Sequence, residues 1–478
     1  MPLNKNLPKF YTVLPIYRRM NSHPTFTGKG VTIAFIDSGF HPHPDLMGPS
    51  ASRILKMVDV TGEKFRESDF NEVRASSWHG TMVACAACGK GRASKGYYKG
   101  IAHDASVVLI KAFDGQAIRS RNIYKALQWI VKNHSEYSIR IVNISVGGDA
   151  SGSRYSKRIC DAIDKLNKLG ISVVTAAGND PAKSVVAPAC CPGAITVGGI
   201  DDNNTLEGKE ITEYGTSFGE TSDKQQKPDV AAPARYLPAP MLENNEVFEE
   251  SRALFALLKL PTKLLKPELG KYIKRTRLER SLKNRNPKEI RKTIKDRMQA
   301  EKFFAPGYQH VDGTSFSAAI VSSVIAQMLE ADPGLSPEAI KSIILETAKK
   351  LSGIEPGRRR NGLLVAHKCV DRVLEKAFLN SSQPYPRITR DKIIFCFTAP
   401  EAKSVILAGD FTDWMKDKIA MERVNDFQWR ADMPLLSAGK YRYKFLIDDD
   451  KWIHDPDNPL NEKDPFGGLN SVLVVNSI

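Results

Sequence analysis

Between Val31 and Val174 short apolar runs alternate with amphipathic stretches, and this alternation constrains the fold more than any other feature. Val31–Ile36, Ser106–Ile110, Ile141–Ile144 and Ile171–Val174 read as buried strands, mainly apolar rather than alternating with polar residues. Ile123–Lys132 and Ser156–Leu169 carry apolar residues at helical spacing between them. Parallel neighbours need a crossover rather than a tight turn, so the pattern predicts an α/β unit: a parallel sheet with helices on both faces. Two more helices follow, Ser317–Ala331 and Ser336–Lys350, the second opened by the cap Ser336-Pro337-Glu338. The pattern changes at the polar stretch Asn380–Pro386. Beyond it Ile393–Phe397, Ser404–Ala408, Gln428–Met433, Lys440–Ile447 and Ser471–Val475 predict a small immunoglobulin-like β-sandwich.

Composition narrows the function classes. Of 478 residues 42% are hydrophobic and 26% charged, a balance that excludes wholesale disorder. No apolar run approaches the roughly 20 residues of a membrane helix, and no secretory signal is readable at Met1–Lys5, so a cytoplasmic protein without membrane contact is expected. Seven cysteines show no bridge framework, and reduced thiols are expected. The adjacent Cys190-Cys191 suits neither a bridge nor a metal. Cys85-Ala86-Ala87-Cys88 has zinc-like spacing but lies on an apolar stretch, where buried small residues explain it better. The net charge of +15 is concentrated: Ser251–Lys302 holds 17 Lys/Arg against 5 Asp/Glu. The rest is nearly balanced, which argues against a general nucleic-acid binder.

Three short patterns carry chemistry. Ile36-Asp37-Ser38-Gly39 ends the first strand, His79-Gly80-Thr81-Met82 opens an apolar helix, and Gly313-Thr314-Ser315-Phe316 opens another. A serine hydroxyl becomes a nucleophile when a histidine takes its proton, and the histidine needs a carboxylate to hold its tautomer. A helix N-terminus adds free N–H groups and a positive dipole end, which suit an oxyanion. The order Asp37…His79…Ser315, with these flanks on a parallel sheet, resembles the subtilisin family of serine proteases.

The resemblance covers about residues 10 to 375 and implies a subtilisin-like fold and peptide-bond hydrolysis. In Val174–Asn179 it gives Asn179 the oxyanion-donor role. It implies that Ser145, Val146 and Gly147, with Ala177 and Gly178, bind an extended protein or peptide substrate. His43–Leu46 and Pro228–Pro233 match stretches with structural roles. Ala319 stands where the family usually has proline. The first strand starts near Val31, which leaves no room upstream for the family's folding-assistant propeptide, so either the enzyme folds without one or the chain has lost it. The residues before Gly28 are read as a lead-in rather than an inhibitory strap. The fold allows structural calcium, but no loop has the dense carboxylates for it, and no cofactor is expected.

The domain reading is a protease unit over 1–234 and 306–378, a basic helical insertion over 235–305, a linker over 379–390 and the sandwich over 391–478. In the insertion Asn286-Pro287-Lys288-Glu289 starts a helix with Ile290, Ile294 and Met298 on one face. Both ends are tethered near the active-site side of the sheet, so a lid or substrate-selecting arm is expected, with a solvated helical hairpin packed on the domain as the alternative. Aromatics for base stacking are few (Tyr272, Phe303, Phe304), which makes RNA a poor fit.

On the sandwich, Gly409–Trp414, Tyr441–Asp448, Trp452 and Gly467–Asn470 place aromatics beside polar residues. Sugars stack apolar C–H faces on aromatic rings while Lys and Asn hydrogen-bond the hydroxyls. This pattern resembles the glycogen-binding module of AMP-activated kinase β-subunits and the related modules of branching and debranching enzymes. The resemblance assigns Trp414, Lys444, Trp452 and Asn470 to glycogen or another α-glucan, with Phe466 near the bracketing loop. Trp414 and Trp452, flanked by charges, are expected to be exposed. Two alternatives stay open: a catalytically silent glycogen-associated scaffold, and an active protease whose C-terminal module is only structural.

Overall fold

The structure is a computed structural model describing residues 13–48, 52–62, 67–148, 154–206, 211–221, 223–243, 245–351, 362–380, 386–389, 391–414, 416–424 and 427–475. The chain forms two compact units, Met1–Val370 and Asp371–Ile478.

The first unit is built on parallel strands: β1 (Thr32–Asp37), β2 (Ile54–Asp59), β3 (Ser106–Lys111), β4 (Ile139–Ile144), β5 (Ser172–Ala176), β6 (Ile195–Asp201) and β7 (Val230–Pro233). Their spatial order is β7-β6-β5-β4-β1-β3-β2, every neighbouring pair parallel. The sequence reading finds four of these strands and misses β2, β6 and β7. β2 is only partly buried, so its apolar signal is weak, and β6 breaks its apolar run at Gly198-Gly199. In β1 every residue is buried, and alternate side chains enter opposite layers. Ala34 and Ile36 pack with Val142, Ile144 and helices α2 (Ser120–Asn133) and α3 (Ser156–Lys168) through Ile123, Leu127, Ile159 and Ile163. On the other face lie α1 (Ser77–Cys88) and α7 (Thr314–Ala331). α7 is buried nearly all round, with Ser322 Oγ bonded to Asn143 Oδ1 of β4 at 3.0 Å, so its apolarity belongs to a core helix.

The crossover from β3 to β4 carries the chain to the other side of β1. Ligands of open α/β sheets bind outside the strand C-termini at such a reversal. Asp37, Ser145 and Ala177 all stand at that edge.

The insertion differs from the expected hairpin. After β7 the chain makes an antiparallel pair, β8 (Leu237–Pro240) with β10 (Tyr308–Val311), joined by β9 (Phe303–Ala305). Between β8 and β9 stand α4 (Glu246–Lys259), α5 (Thr262–Thr276) and α6 (Pro287–Ala300). Asn286 caps α6 by accepting from Glu289 N–H at 3.0 Å, with Pro287 at the first helical position. Leu254, Phe255, Leu265, Leu269, Ile290, Ile294 and Met298 form a core of their own. The charge run is thus the solvated surface of a packed helical cluster. Helix α8 (Pro337–Thr347) ends three residues before the expected Lys350, because Lys349 pairs with Leu363.

The cysteine expectation is corrected. Cys160 of α3 and Cys191 are bonded to each other, 31 residues apart. Cys191 is fully buried and bonded to Cys160 while the partly buried Cys190 stays free, so adjacency of the two is no obstacle.

Helix α9 (Ala366–Asn380) occupies the start of the expected linker, and residues 381–385 and 390 of that linker lie outside the described residues. In the second unit, antiparallel β11 (Lys392–Thr398) and β13 (Gln428–Pro434) belong to one sheet. β12 (Val405–Gly409), β14 (Gly439–Ile447), β15 (Lys451–Ile453), β16 (Asn461–Lys463) and β17 (Leu469–Val475) form another. Phe395, Phe397, Leu407, Trp429, Tyr443, Phe445 and Leu473 fill the space between them.

Gly80 of α1 crosses Asp37 so closely that a Cβ would sit 2.8 Å from Asp37 Cβ and 2.9 Å from Phe40 Cε1. Gly80→Ala is expected to destabilise the first unit by roughly 1–3 kcal/mol. An unchanged denaturant midpoint would show that the crossing has slack.

Candidate active site

Asp37 ends β1, where its side chain is almost fully buried. Its Oδ1 accepts from Ser38 N–H at 2.6 Å and from His79 Nδ1–H at 2.7 Å. A carboxylate accepts only, so this contact places the His79 proton on Nδ1 and leaves Nε2 as the basic nitrogen. Burial alone pushes the His79 pKa down, but the charge and hydrogen bond of Asp37 outweigh it and hold the value above the ordinary 6.5. The ring lies edge-on to Phe316 at 5.8 Å and Trp78 at 5.5 Å.

Ser315 is the second residue of α7. Gly313 precedes the helix at φ +140°, a conformation that a residue with a Cβ adopts only under strain. The Ser315 hydroxyl donates to Ser145 O at 3.0 Å, and Ser145 Oγ donates back to Ser315 O at 2.9 Å. The hydroxyl is therefore engaged with the strand edge rather than hydrogen-bonded to His79. Asn179 Oδ1 accepts from Thr314 N–H at 2.9 Å and Thr314 Oγ1–H at 3.0 Å. That fixes the amide so that Nδ2 is the free donor on the open side. Thr314, which the sequence reading passes over, also accepts from Gly178 N–H at 3.1 Å. Its position one residue before Ser315 was the available signal.

Two stretches flank these groups. Ser145, Val146 and Gly147 continue β4, and no described atom but Val186 Cγ2 comes within 4 Å of a Cβ placed on Gly147. Ala177 and Gly178 continue β5, with Ala177 packed on Val185 and Ala189. The lid expectation for the insertion is corrected. Hairpin β8/β10 runs back along α1, with Gln309 Nε2 at 3.4 Å from Met82 Sδ and Gly307 beside Ala93, past the helix C-terminus. His79 stands at the opposite end, so about 14 Å of helix separates it from the far end of the hairpin, where the helical cluster begins. The hairpin's base stays beside Ser315 through Gly313 N–H to Ala234 O at 2.8 Å.

Cys85 and Cys88 are fully buried, and burial pushes the Cys88 thiol up to about 12, which fits inert packing. Among the described residues no three His, Cys, Asp or Glu side chains cluster at metal-binding distance.

In the second unit Trp452 is 39% exposed and lies 6.2 Å from Trp414, the rings inclined at 60°. Trp414 is only half-buried rather than exposed, a correction with a local cause. Asp413 and Trp414 take left-handed backbone, and the indole Nε1–H donates to Asp410 Oδ1 at 3.1 Å. Asn470 is 4% exposed, opposite Glu462 on β16. Lys444 Nζ is paired with Asp464. Asp464, also missed from sequence, accepts from Phe466 N–H and Gly468 N–H at 2.8 Å each and shapes the loop that leaves Phe466 fully out in solvent.

Residues 28–363 match the subtilase family model. Residues 392–478 match the model of the glycogen recognition site of AMP-activated protein kinase. The serine protease AprX of Bacillus subtilis (strain 168) is 26% identical over 355 residues, covering 72% of this chain and 67% of that protein. The minor extracellular protease Epr of the same organism is 28% identical over 244 residues, 49% of this chain and 32% of that one. A subtilisin-like protease of Coccidioides posadasii (strain C735) is 37% identical over 141 residues, 29% and 31% of the two chains. The match thus spans about two thirds of the first relative and about a third of the other two.

The raised His79 pKa gives a signed prediction. The stability contributed by the protonated pair is full below about 6.5 and is lost as pH rises through the folded value. Asp37→Asn leaves burial acting alone and should bring the titration below 6.5, read by NMR on ring-labelled histidine. A midpoint that stays above 6.5 in the variant would place the cause elsewhere.

Proposed function

This chain belongs to the subtilase family of serine proteases, and from that premise we propose that it is a serine endopeptidase using Ser315, His79 and Asp37. Ser315 Oγ leaves Ser145 O and attacks the scissile carbonyl while His79 Nε2 takes its proton. His79 then gives that proton to the leaving amine, and Asp37 holds the ring and stabilises the imidazolium. Asn179 Nδ2 and the Ser315 N–H, at the positive end of α7, receive the developing oxyanion. The substrate lies extended between Ser145–Gly147 and Ala177–Gly178, the geometry of an added strand, so unfolded or flexible segments are the substrate class. The observation that carries this reading is the 2.7 Å contact from His79 Nδ1 to Asp37 at the edge where α7 begins.

The C-terminal module is proposed to hold the enzyme on glycogen or a related α-glucan through Trp452, Trp414 and Lys444, with Asn470 contributing from β17. Proteins associated with such polymers are then the natural substrates. A silent glycogen-associated scaffold is the second reading, favoured by one observation: the Ser315 hydroxyl engaged with Ser145 O. The half-buried Trp414, buried Asn470 and paired Lys444 favour, in the same way, a module that only braces the chain.

Ser315→Ala is expected to lower turnover of an unfolded protein substrate by at least about 10⁴-fold without changing the fold. Equal activity in the variant would remove Ser315 from the chemistry. Co-sedimentation with glycogen should be lost in the Trp414→Ala/Trp452→Ala double variant. Undiminished pelleting would assign binding to other residues.

A further inference from the structure

The segment 185–191 lies against both stretches to which the proposed function assigns substrate. Val186 Cγ2 is 3.8 Å from a Cβ position on Gly147, and Ala187 O accepts from Gly148 N–H at 3.2 Å. On the other side Val185, Ala189 and Cys190 pack on Ala177. The segment is a tight turn, closed by Cys190 N–H to Val186 O at 3.2 Å and Cys191 N–H to Pro188 O at 3.1 Å. Its last residue is bonded to Cys160 of α3, and Val146, Ala187, Cys160 and Cys191 share one core layer with Ile159 and Ile163. One covalent bond therefore ties the turn beneath the substrate edge to a helix that touches none of the reacting groups.

We infer that the Cys160–Cys191 disulfide is a thiol-sensitive positioning element for the substrate-binding edge, an inference that rests on the proposed endopeptidase reading. Closed, it holds the 185–191 turn, and through it Gly147, Gly148 and Ala177, at a fixed place. A dithiol reductant opens it in two steps. One reductant thiolate attacks Sγ of Cys160, the half-buried partner, and Cys191 leaves as a thiolate that takes a proton. The second reductant thiol then displaces Cys160, so two electrons and two protons pass to the protein and the reductant becomes a disulfide. The turn keeps its backbone hydrogen bonds and its packing, so the fold persists while the edge loses its tether. Asp37, His79 and Ser315 stand on β1, α1 and α7 and keep their arrangement.

The test uses the full chain purified without reductant, then treated with dithiothreitol, with differential alkylation and mass spectrometry reporting the state of Cys160 and Cys191. On reduction KM for an extended peptide should rise about threefold to tenfold. Turnover and the rate of fluorophosphonate labelling of Ser315 should be unchanged, and reoxidation should restore KM. Cys160→Ser/Cys191→Ser should show the reduced enzyme's KM and ignore dithiothreitol, while Cys396→Ser, at a free cysteine of the second unit, should follow the wild type. Free Cys160 and Cys191 in the unreduced chain, a KM indifferent to verified reduction, or an equal loss of KM and labelling would each overturn the inference. If Ser315 labels in neither state, the endopeptidase reading is what fails. The positioning role is then read from anisotropy of a fluorescent extended peptide: the same weakening on reduction supports it, and unchanged affinity overturns it.

Discussion

A carboxylate buried at the end of a buried strand is costly unless another group takes its charge. Asp37 is in that position, and the His79 imidazole and the Ser38 N–H are what it has. The requirement reaches outward. His79 must stand at the first turn of α1, α1 must cross β1 closely enough to need Gly80, and α7 must begin where Asn179 and Ser145 meet it. The sheet order supplies this convergence, because the chain reverses direction beside β1 and leaves three strand ends around one crevice.

The parts of the fold legible in the sequence are those fixed by local pattern. Strands β1, β3, β4 and β5 are built on short, mainly apolar runs, and the capping residues Asn286 and Ser336 mark helix starts that the structure places within a residue. Asp37, His79 and Ser315 were legible because each sits in its own short motif at an element boundary. What escaped depends on where distant pieces land. The Cys160–Cys191 bond requires α3 to lie against the turn before β6, and no spacing rule encodes a 31-residue separation. The insertion's position escaped for a related reason. Its place in the sequence, between β7 and Ser315, suggested a lid, but an antiparallel hairpin carries it down α1 and away from His79.

The second unit shows the same division. Its strands were legible as short runs between turn signals, and Phe395, Phe397, Tyr443 and Phe445 fill its core. Exposure of individual ligand candidates was not. Left-handed backbone at Asp413 and Trp414 seats that indole against Asp410, while Asp464 takes the charge of Lys444 and at the same time bends the loop that projects Phe466. These are backbone and pairing effects that side-chain chemistry alone does not announce.

The central claim is that Ser315 is an activated nucleophile, although its hydroxyl rests on Ser145 O. The most direct measurement is reaction of the folded chain with a fluorophosphonate across pH 5 to 9, with the adduct located by peptide mass spectrometry. The account predicts a single adduct on Ser315, forming faster as His79 loses its proton at a pH above 6.5. A folded chain that forms no adduct, or forms it on another residue, would contradict it.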